Sequence, residues 1–212
     1  MKRRTFLGAS AVTVLAGCLG GSDFDRADHP ATQTLTDLPW LGESPTNADG
    51  LIVAFEDPSC STCRRFHETT FLDLRRELLE TGDASFVYHP YPIVLAWGEV
   101  ASRALLATTD RDRAAGWELI DWYYRNQDRL TTENVVASTR EFLDDETVVD
   151  GGSIVDAVES GGYAAAVDAR RAAGDEAGAT TTPTFYLFRD DEFVTEFTGV
   201  QDVSVFVSSL EG

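Results

Sequence analysis

Two cysteines lie where a predicted strand passes into a predicted helix, and this junction constrains the fold more than any other feature of the sequence. Residues 51–55 form a short apolar run of the buried-strand type, and residues 56–59 carry turn-forming and helix-starting side chains. Cys60 and Cys63 follow at once. Apolar residues at helical spacing then predict a helix that runs to about Glu80.

A second strand follows this helix after a short turn. Thr81 and Gly82 are expected to end the helix, because glycine adopts the left-handed conformation of a helix stop. Residues 85–88 are apolar and aromatic, as in a buried strand. Strand, helix and strand within about 40 residues indicate a βαβ unit with parallel strands.

The remainder of the chain predicts an α/β fold with a helical insertion between two halves. Residues 96–176 carry several amphipathic helical patterns, whose aromatic stripes are expected to be core. Residues 184–188 and 193–198 read as two strands joined by a turn, and a last helix is capped by Asp202. The folded domain is therefore placed at residues 50–212, in the order β-α-β, insert, β-β-α.

The position of the two cysteines predicts distinct chemical roles. Cys60 lies at the positive end of the helix dipole, which stabilises a thiolate and favours it as the nucleophile. Cys63, one turn further in, is expected to resolve the mixed disulfide. Arg64 could add positive charge but is expected to be solvated. For Glu56 and Asp57 we expect solvated turn or capping roles rather than proton transfer.

Metal binding is the main alternative for a cysteine pair of this spacing. Zinc requires four ligands, and the sequence has no second C-x-x-C. His67 shares the helix with the pair and is expected to pack or be solvated rather than bind a metal. We predict no metal site, while a carrier of Cu(I) that uses Cys60 and Cys63 remains an alternative. So does a non-catalytic binding lipoprotein with a structural disulfide.

A second mark lies directly before the third strand, at Thr182 and Pro183. Proline cannot donate to a sheet ladder, so Pro183 must lie at the start of the strand or follow a cis peptide bond.

Two separated motifs carry a resemblance to a known family. Residues 55–67, with the sequence F-E-D-P-S-C-S-T-C-R-R-F-H, resemble the active-site segment of DsbA-like thioredoxin-fold proteins. Residues 179–185, A-T-T-T-P-T-F, resemble the cis-proline loop of that family. Residues 88–92 are similar to its second strand and exit. The region of Trp117, Asn126 and Gln127 resembles the helical insert of that family. The resemblance covers about residues 50–210.

The resemblance implies a thiol:disulfide oxidoreductase of thioredoxin-like fold that uses no cofactor beyond a redox-active Cys60–Cys63 disulfide. It implies that Pro183 is cis and that Thr182 lines the substrate groove. Two departures stand out. Ser61 and Thr62 occupy the positions that tune thiolate stability, where many members carry proline and then histidine or an aromatic residue. A carboxylate that some relatives bury six residues before the nucleophile is replaced by Ala54.

The first 49 residues read as an address, an anchor and a linker. Residues 1–17 have a basic start with an Arg3-Arg4 pair, a short apolar middle and small residues, as in a twin-arginine signal peptide. Cys18 follows Leu-Ala-Gly, as in a lipobox, and is predicted to carry a lipid anchor. Residues 18–49 are polar and are predicted to be a tether.

The net charge of −19 excludes some partners and suggests an environment. Such an acidic surface repels phosphate backbones, so we expect no nucleic-acid partner. Lys2 is the only lysine, and this combination resembles proteins of salt-loving microbes. We therefore expect an exported lipoprotein at the outer face of the cell membrane. It would exchange disulfides with exported proteins and with an unidentified membrane or extracellular redox partner, in the oxidase or isomerase direction.

Overall fold

The computed structural model describes residues 26–33 and 35–211, in which five strands form one mixed sheet of spatial order β1-β3-β2-β4-β5. The strands are β1 (Trp40–Gly42), β2 (Gly50–Glu56), β3 (Ala84–Pro90), β4 (Thr184–Arg189) and β5 (Glu192–Thr198). β2 and β3 are parallel, as predicted, while β1–β3, β2–β4 and β4–β5 are antiparallel. Every residue of β2 and β3 is buried, because both faces of the sheet centre are covered.

Eight α-helices surround this sheet in the described part of the chain. They are α1 (Ser61–Glu68), α2 (Thr70–Leu74), α3 (Ala96–Arg111), α4 (Arg113–Asn126), α5 (Val135–Glu146), α6 (Gly151–Glu159), α7 (Ala164–Ala177) and α8 (Val203–Glu211). The insertion predicted over residues 96–176 corresponds to α3 through α7. None of the described helices is long and apolar enough to cross a lipid bilayer.

The helix after the cysteines is interrupted, contrary to the prediction of a continuous helix to Glu80. Thr69 leaves helical geometry (φ −123°, ψ −88°), and its hydroxyl donates to the carbonyl of Arg65 at 2.7 Å. This bond to the preceding turn competes with the helical ladder and bends the chain. α2 and a π-helical turn over Arg75–Leu79 complete the segment. Gly82 has φ +83°, which confirms the predicted left-handed stop.

The alternation of side chains along β2 divides the core into two layers. Ile52 and Ala54 face α1, α3, α4 and α8 in the larger layer. Leu51, Val53 and Phe55 face the opposite side, where α7 and the segment before β1 cover the sheet.

The segment before β1 packs on the sheet, contrary to the prediction that residues 18–49 form a polar tether. Residues 26–33 and 35–39, here called the N-terminal strap, form short 3₁₀ turns that lie on the sheet. Ala31, Leu35 and Leu38 recur at i, i+4 and i+7 and are buried against the sheet. The chain then continues directly into β1. The polar composition concealed these three apolar positions, so the described part of the predicted tether belongs to the domain.

The start of the strap is fastened to the far end of the sheet. The backbone amide of Arg26 donates to the carbonyl of Asp191 in the β4–β5 turn at 2.6 Å. The guanidinium of Arg26 donates to the carbonyl of Ala48 at 2.9 Å and to that of Pro45. The predictions for residues 1–17, for Cys18 and for the beginning of the tether lie outside the described residues.

If the strap is part of the core, shortening a strap side chain must lower the free energy of unfolding. Leu38→Ala is expected to cost about 3 kcal/mol, because it leaves a cavity against the sheet. Leu72→Ala is the matched control, since Leu72 on α2 is 57% exposed, and its cost should stay below about 0.5 kcal/mol. Denaturant unfolding measures both changes in the free energy of unfolding. Equal changes would show that the strap does not contribute to the core.

Candidate active site

The turn between β2 and α1 is built by the side chain of Asp57. Its Oδ1 accepts hydrogen bonds from the backbone amide of Ser59 at 2.7 Å and from the Ser59 hydroxyl at 2.6 Å. The Cys60 amide donates to the Asp57 carbonyl at 3.0 Å, which closes the turn. Cys60 therefore takes the N-cap position of α1, with extended backbone geometry (φ −83°, ψ 119°).

The other oxygen of Asp57 fixes the loop between β3 and α3. Oδ2 accepts from the amides of Ile93 and Val94, each at 2.8 Å, and the Ser59 hydroxyl accepts from the amide of Leu95 at 3.0 Å. Asp57 has the expected turn-capping role, but it is wholly buried rather than solvated. The reason is that backbone donors arrive from a second loop, which local spacing cannot show.

Cys60 is 6% exposed, slightly more than the wholly buried Cys63, and its thiol faces the loop before β4. When Cys60 is protonated, its Sγ donates to the carbonyl oxygen of Thr182 at 3.3 Å. A hydrogen bond from the Cys63 side chain lowers the pKa of Cys60 to about 6, against the opposing effect of burial. The Thr182 side chain and the backbone amides of Cys63 and Thr62 lower this pKa further.

The pKa of Cys63 is shifted in the opposite direction to that of Cys60. It is wholly buried one turn inward, and both cysteines are free thiols in the structure. Burial raises the pKa of Cys63 well above the usual value, and the hydrogen bond with Cys60 and the charge of Glu56 raise it further. At neutral pH the pair therefore consists of a Cys60 thiolate and a Cys63 thiol.

The Thr182–Pro183 peptide bond is cis, as the resemblance implied. Because β2 and β4 pair with Phe55 opposite Thr184, the loop before β4 lies at the same sheet edge as the cysteine turn. Thr182 is buried against Cys60, and the Pro183 carbonyl accepts from the amide of Gly199 at 2.9 Å. The loop is thus brought to the thiol, while its role in substrate binding remains a prediction.

The two residues between the cysteines are open to solvent. Ser61 is exposed and Thr62 is half-buried. Arg64, on the next turn, donates to Glu68 at 2.9 Å and to Asp128 at 2.8 Å. The guanidinium is therefore engaged by two carboxylates at the surface. The tuning roles of the Ser61 and Thr62 side chains remain predictions.

A buried carboxylate next to Cys63 was missed by sequence reasoning. Glu56 is wholly buried, and both of its carboxylate oxygens accept from Nε2 of His67, at 3.0 and 3.1 Å. The Tyr124 hydroxyl also donates to Glu56 at 3.2 Å. The expectation of a solvated Glu56 is therefore wrong. A signal existed, because strand alternation places Glu56 on the same face of β2 as Ala54.

A second missed residue comes from the helical insert. Nε2 of Gln127 donates to the carbonyl of Pro58 at 2.8 Å and to that of Cys60 at 3.1 Å. Both acceptors belong to the active-site turn. No spacing rule connects positions so far apart, although the resemblance had pointed to this region of the insert.

Three apolar side chains lie exposed beside the cysteine turn. Ile93, Val94 and Leu95 are 42%, 49% and 54% exposed, although their backbone amides are bound to Asp57 and Ser59. Exposed consecutive apolar residues are typical of a binding surface. Over residues 26–33 and 35–211, no cluster of three or more His, Cys, Asp or Glu side chains is arranged to hold a metal ion.

The cysteine pair lies at the start of the helix of the βαβ unit, and the cis-proline lies beside it at the same end of the sheet. Together with a helical insertion, this arrangement defines the DsbA-like class of thioredoxin folds. The sequence of residues 36–207 matches the family model described as Thioredoxin. The chain therefore belongs to the thioredoxin family, with the fold of the DsbA-type thiol:disulfide oxidoreductases. No curated protein matches the sequence at a significant level.

Solved structures agree in fold at low sequence identity. Oxidised BdbD from Bacillus subtilis is 18% identical, with a TM-score of 0.72 over 84% of this chain and 96% of BdbD. DsbA of Chlamydia trachomatis is 17% identical, with a TM-score of 0.67 over 82% and 90%. The thiol-disulfide exchange protein alpha-DsbA2 of Wolbachia pipientis is 18% identical, with a TM-score of 0.64 over 84% and 87%.

The unequal acidity of the two thiols predicts a distinctive alkylation profile. Cys60 should react with iodoacetamide with a midpoint of about pH 6, because the thiolate is the reactive species. Cys63→Ala should move this midpoint upward by removing the hydrogen bond, whereas Cys63→Ser retains a donor and should move it less. A midpoint near the ordinary value in the unaltered protein would contradict the site as described.

Glu56→Gln tests the buried charge beside Cys63. The neutral amide removes a charge that opposes ionisation, so the pKa of Cys63 should fall, although burial still raises it. The Cβ chemical shift of Cys63, followed by NMR against pH, measures this change. Glu68→Gln is the matched control, because Glu68 is exposed on α1, and it should leave the Cys63 titration in place. An unchanged titration in Glu56→Gln would remove Glu56 from the site.

Proposed function

We propose that the protein exchanges disulfides with exported proteins through Cys60 and Cys63, and that it acts in the oxidising or isomerising direction. The observation that carries the proposal is the asymmetry of the pair. The pKa of Cys60 is lowered to about 6, while that of the more deeply buried Cys63 is raised. A thiol:disulfide oxidoreductase needs one stable, accessible thiolate and one protected thiol that resolves the mixed disulfide.

The oxidising reaction follows from this arrangement. A substrate thiolate attacks Sγ of Cys60 in the Cys60–Cys63 disulfide, and Cys63 leaves with the electron pair of the S–S bond and takes up a proton. A second substrate thiolate then attacks the substrate sulfur of the mixed disulfide and expels Cys60 as a thiolate. The substrate dithiol has become a disulfide, and the enzyme disulfide has become a dithiol.

The acidity of Cys60 favours this direction. A thiolate that is stable at neutral pH is a good leaving group, and its stability favours the dithiol form of the enzyme over the disulfide. A more stable dithiol makes the corresponding disulfide a stronger oxidant. Regeneration then requires an oxidising partner, which we place at or outside the membrane and which accepts the two electrons of the dithiol.

Protein substrates fit the surface around the thiol. The loop with the exposed apolar side chains of Ile93, Val94 and Leu95 is bound to the cysteine turn through Asp57 and Ser59. An unfolded polypeptide would place apolar residues against these side chains. Thr182 and Pro183 would form the opposite wall of this groove. High salt would favour such contacts, because it strengthens apolar association and screens the negative surface.

Export and membrane attachment complete the proposal. The signal-like residues 1–17 and the lipobox at Cys18 support a lipoprotein at the outer face of the membrane, where disulfides persist. Residues 19–25 lie between the proposed lipidated Cys18 and Arg26, the first described residue of the strap. At roughly 3.5 Å per residue, a chain of that length would keep Arg26 within about 25 Å of the bilayer surface.

Cysteine variants test the exchange directly, with a reduced dithiol peptide as substrate and oxidised glutathione as the oxidant. Cys60→Ser should reduce the oxidation rate to background, because the attacked sulfur is gone. Cys63→Ser cannot form the Cys60–Cys63 disulfide, so oxidised glutathione should leave Cys60 as a mixed disulfide with glutathione and the rate of peptide oxidation should fall. Mass spectrometry of the trapped species and the rate of peptide oxidation are the measurements.

Cys18→Ser is the control outside the pair. It should leave the exchange rate unchanged and move the exported protein from the membrane to the soluble fraction. Wild-type rates in both Cys60→Ser and Cys63→Ser would refute the exchange function. Tight stoichiometric binding of Cu(I) to the dithiol, together with absent exchange, would favour the metal-carrier alternative instead.

A further inference from the structure

The helical insert contacts the end of β2, the active-site turn and α1 through three side chains. The Tyr124 hydroxyl near the end of α4 donates to Glu56 at 3.2 Å. In the 3₁₀ turn that follows, Gln127 donates to the Pro58 and Cys60 carbonyls, and Asp128 pairs with Arg64 at 2.8 Å. We call Tyr124, Gln127 and Asp128 the insert clamp.

Gln127 is the member of the clamp that touches the nucleophile's own backbone. Its amide group has two N–H donors, which suit the two carbonyl acceptors at 2.8 and 3.1 Å. These carbonyls belong to Pro58 and Cys60, so they bracket Ser59 and fix both sides of the residue before the nucleophile. The Cys60 carbonyl also accepts the first helical bond of α1, from the amide of Arg64 at 3.1 Å.

We propose that Gln127 is a positioning residue through which the helical insert sets the redox behaviour of the Cys60–Cys63 pair. By fixing the Cys60 carbonyl, it holds the Cys60 backbone so that the amides of Thr62 and Cys63 remain directed at Sγ. The proposal rests on the exchange function proposed above. It gives the insertion a chemical task in addition to its contribution to the core.

Little else in the cysteine motif could do this work. Ser61 and Thr62 have short side chains at the surface, and the guanidinium of Arg64 is engaged by Glu68 and Asp128. Asp57 fixes the turn from the side of the β3–α3 loop, through its bonds with the Ser59, Ile93 and Val94 amides. Gln127 fixes it from the side of the insert. The Asp57 and Gln127 contacts together hold the turn that carries Cys60.

Gln127→Met provides the first test, because it keeps the length of the side chain and removes both donors. Thiolate absorbance measures the pH at which Cys60 is half-ionised, and equilibration with glutathione measures the stability of its disulfide. The midpoint should rise by about half a pKa unit or more, which is a threefold change. The disulfide should become favoured by a similar factor, because the dithiol form has lost thiolate stabilisation.

Asn126→Leu is the matched control. The Asn126 amide donates to the carbonyl of Trp122 at 2.9 Å, within its own helix, and does not touch the active-site turn. This variant should therefore leave the Cys60 midpoint and the glutathione equilibrium at the values of the unaltered protein. Equal shifts in Gln127→Met and Asn126→Leu would overturn the proposal, since they would show only a general loosening of the insert.

Gln127→Glu supplies a signature that a merely structural role would not produce. An ionised carboxylate can only accept, so it repels the two carbonyls and should raise the Cys60 midpoint more than Gln127→Met does. When protonated it can donate one hydrogen bond again. The glutathione equilibrium of this variant should therefore return toward the original value at acid pH, and that of Gln127→Met should not.

The outcomes separate this inference from the exchange function. A protein that exchanges no disulfide with glutathione refutes the function itself. A protein that exchanges normally, with Gln127→Met and Gln127→Glu at the original midpoint and equilibrium, refutes only the role of Gln127. If Gln127→Met does not fold, the presence or absence of acid recovery in Gln127→Glu decides the question.

Discussion

The buried carboxylate of Asp57 is the contact on which the active site depends. One oxygen accepts from the Ser59 amide and hydroxyl, and the other accepts from two consecutive amides of the β3–α3 loop. A buried carboxylate is stable only when its lone pairs are satisfied, so these four donors fix the turn and the loop relative to each other. Gly98, in the first turn of α3, packs against the same group, and a Cβ there would collide with Oδ1 of Asp57. The cysteine turn, the β3–α3 loop and the first turn of α3 are therefore all in contact with the Asp57 carboxylate.

The difference in pKa between Cys60 and Cys63 follows from the positions of their two sulfur atoms in the fold. At Cys60, which is 6% exposed, the Cys63 hydrogen bond and the backbone amides outweigh the cost of burying a charge. Cys63 lies below Cys60, away from water and close to the charge of Glu56, so it stays protonated. Neither effect requires the proline or histidine common between the cysteines of related proteins. The hydrogen bond between the two thiols and the deeper burial of Cys63 make their pKa values unequal, and backbone donors add to the effect at Cys60.

The departures from expectation share a physical origin. The strap looked like a tether because prolines and polar residues outnumber its three core positions, Ala31, Leu35 and Leu38, whose burial depends on a sheet that forms later in the chain. The helix after the cysteines breaks at Thr69, where a side-chain bond to the preceding turn competes with the ladder. Glu56 looked solvated because its partner His67 is 11 positions away and approaches from α1. In each case the sequence pattern did not show which group the side chain would contact.

The sequence by itself determined the parallel βαβ unit, the helical insertion, the cysteine pair at a strand–helix junction and the proline before β4. These features are local, since they depend on side-chain periodicity, on helix-starting and helix-stopping residues and on the missing amide of proline. Only the tertiary structure decided which groups surround the pair. Gln127 meets the Pro58 carbonyl across 69 positions, and Cys60 meets the Thr182 carbonyl across 122. Such contacts depend on how elements pack, and packing brings together residues whose spacing in the chain carries no signal.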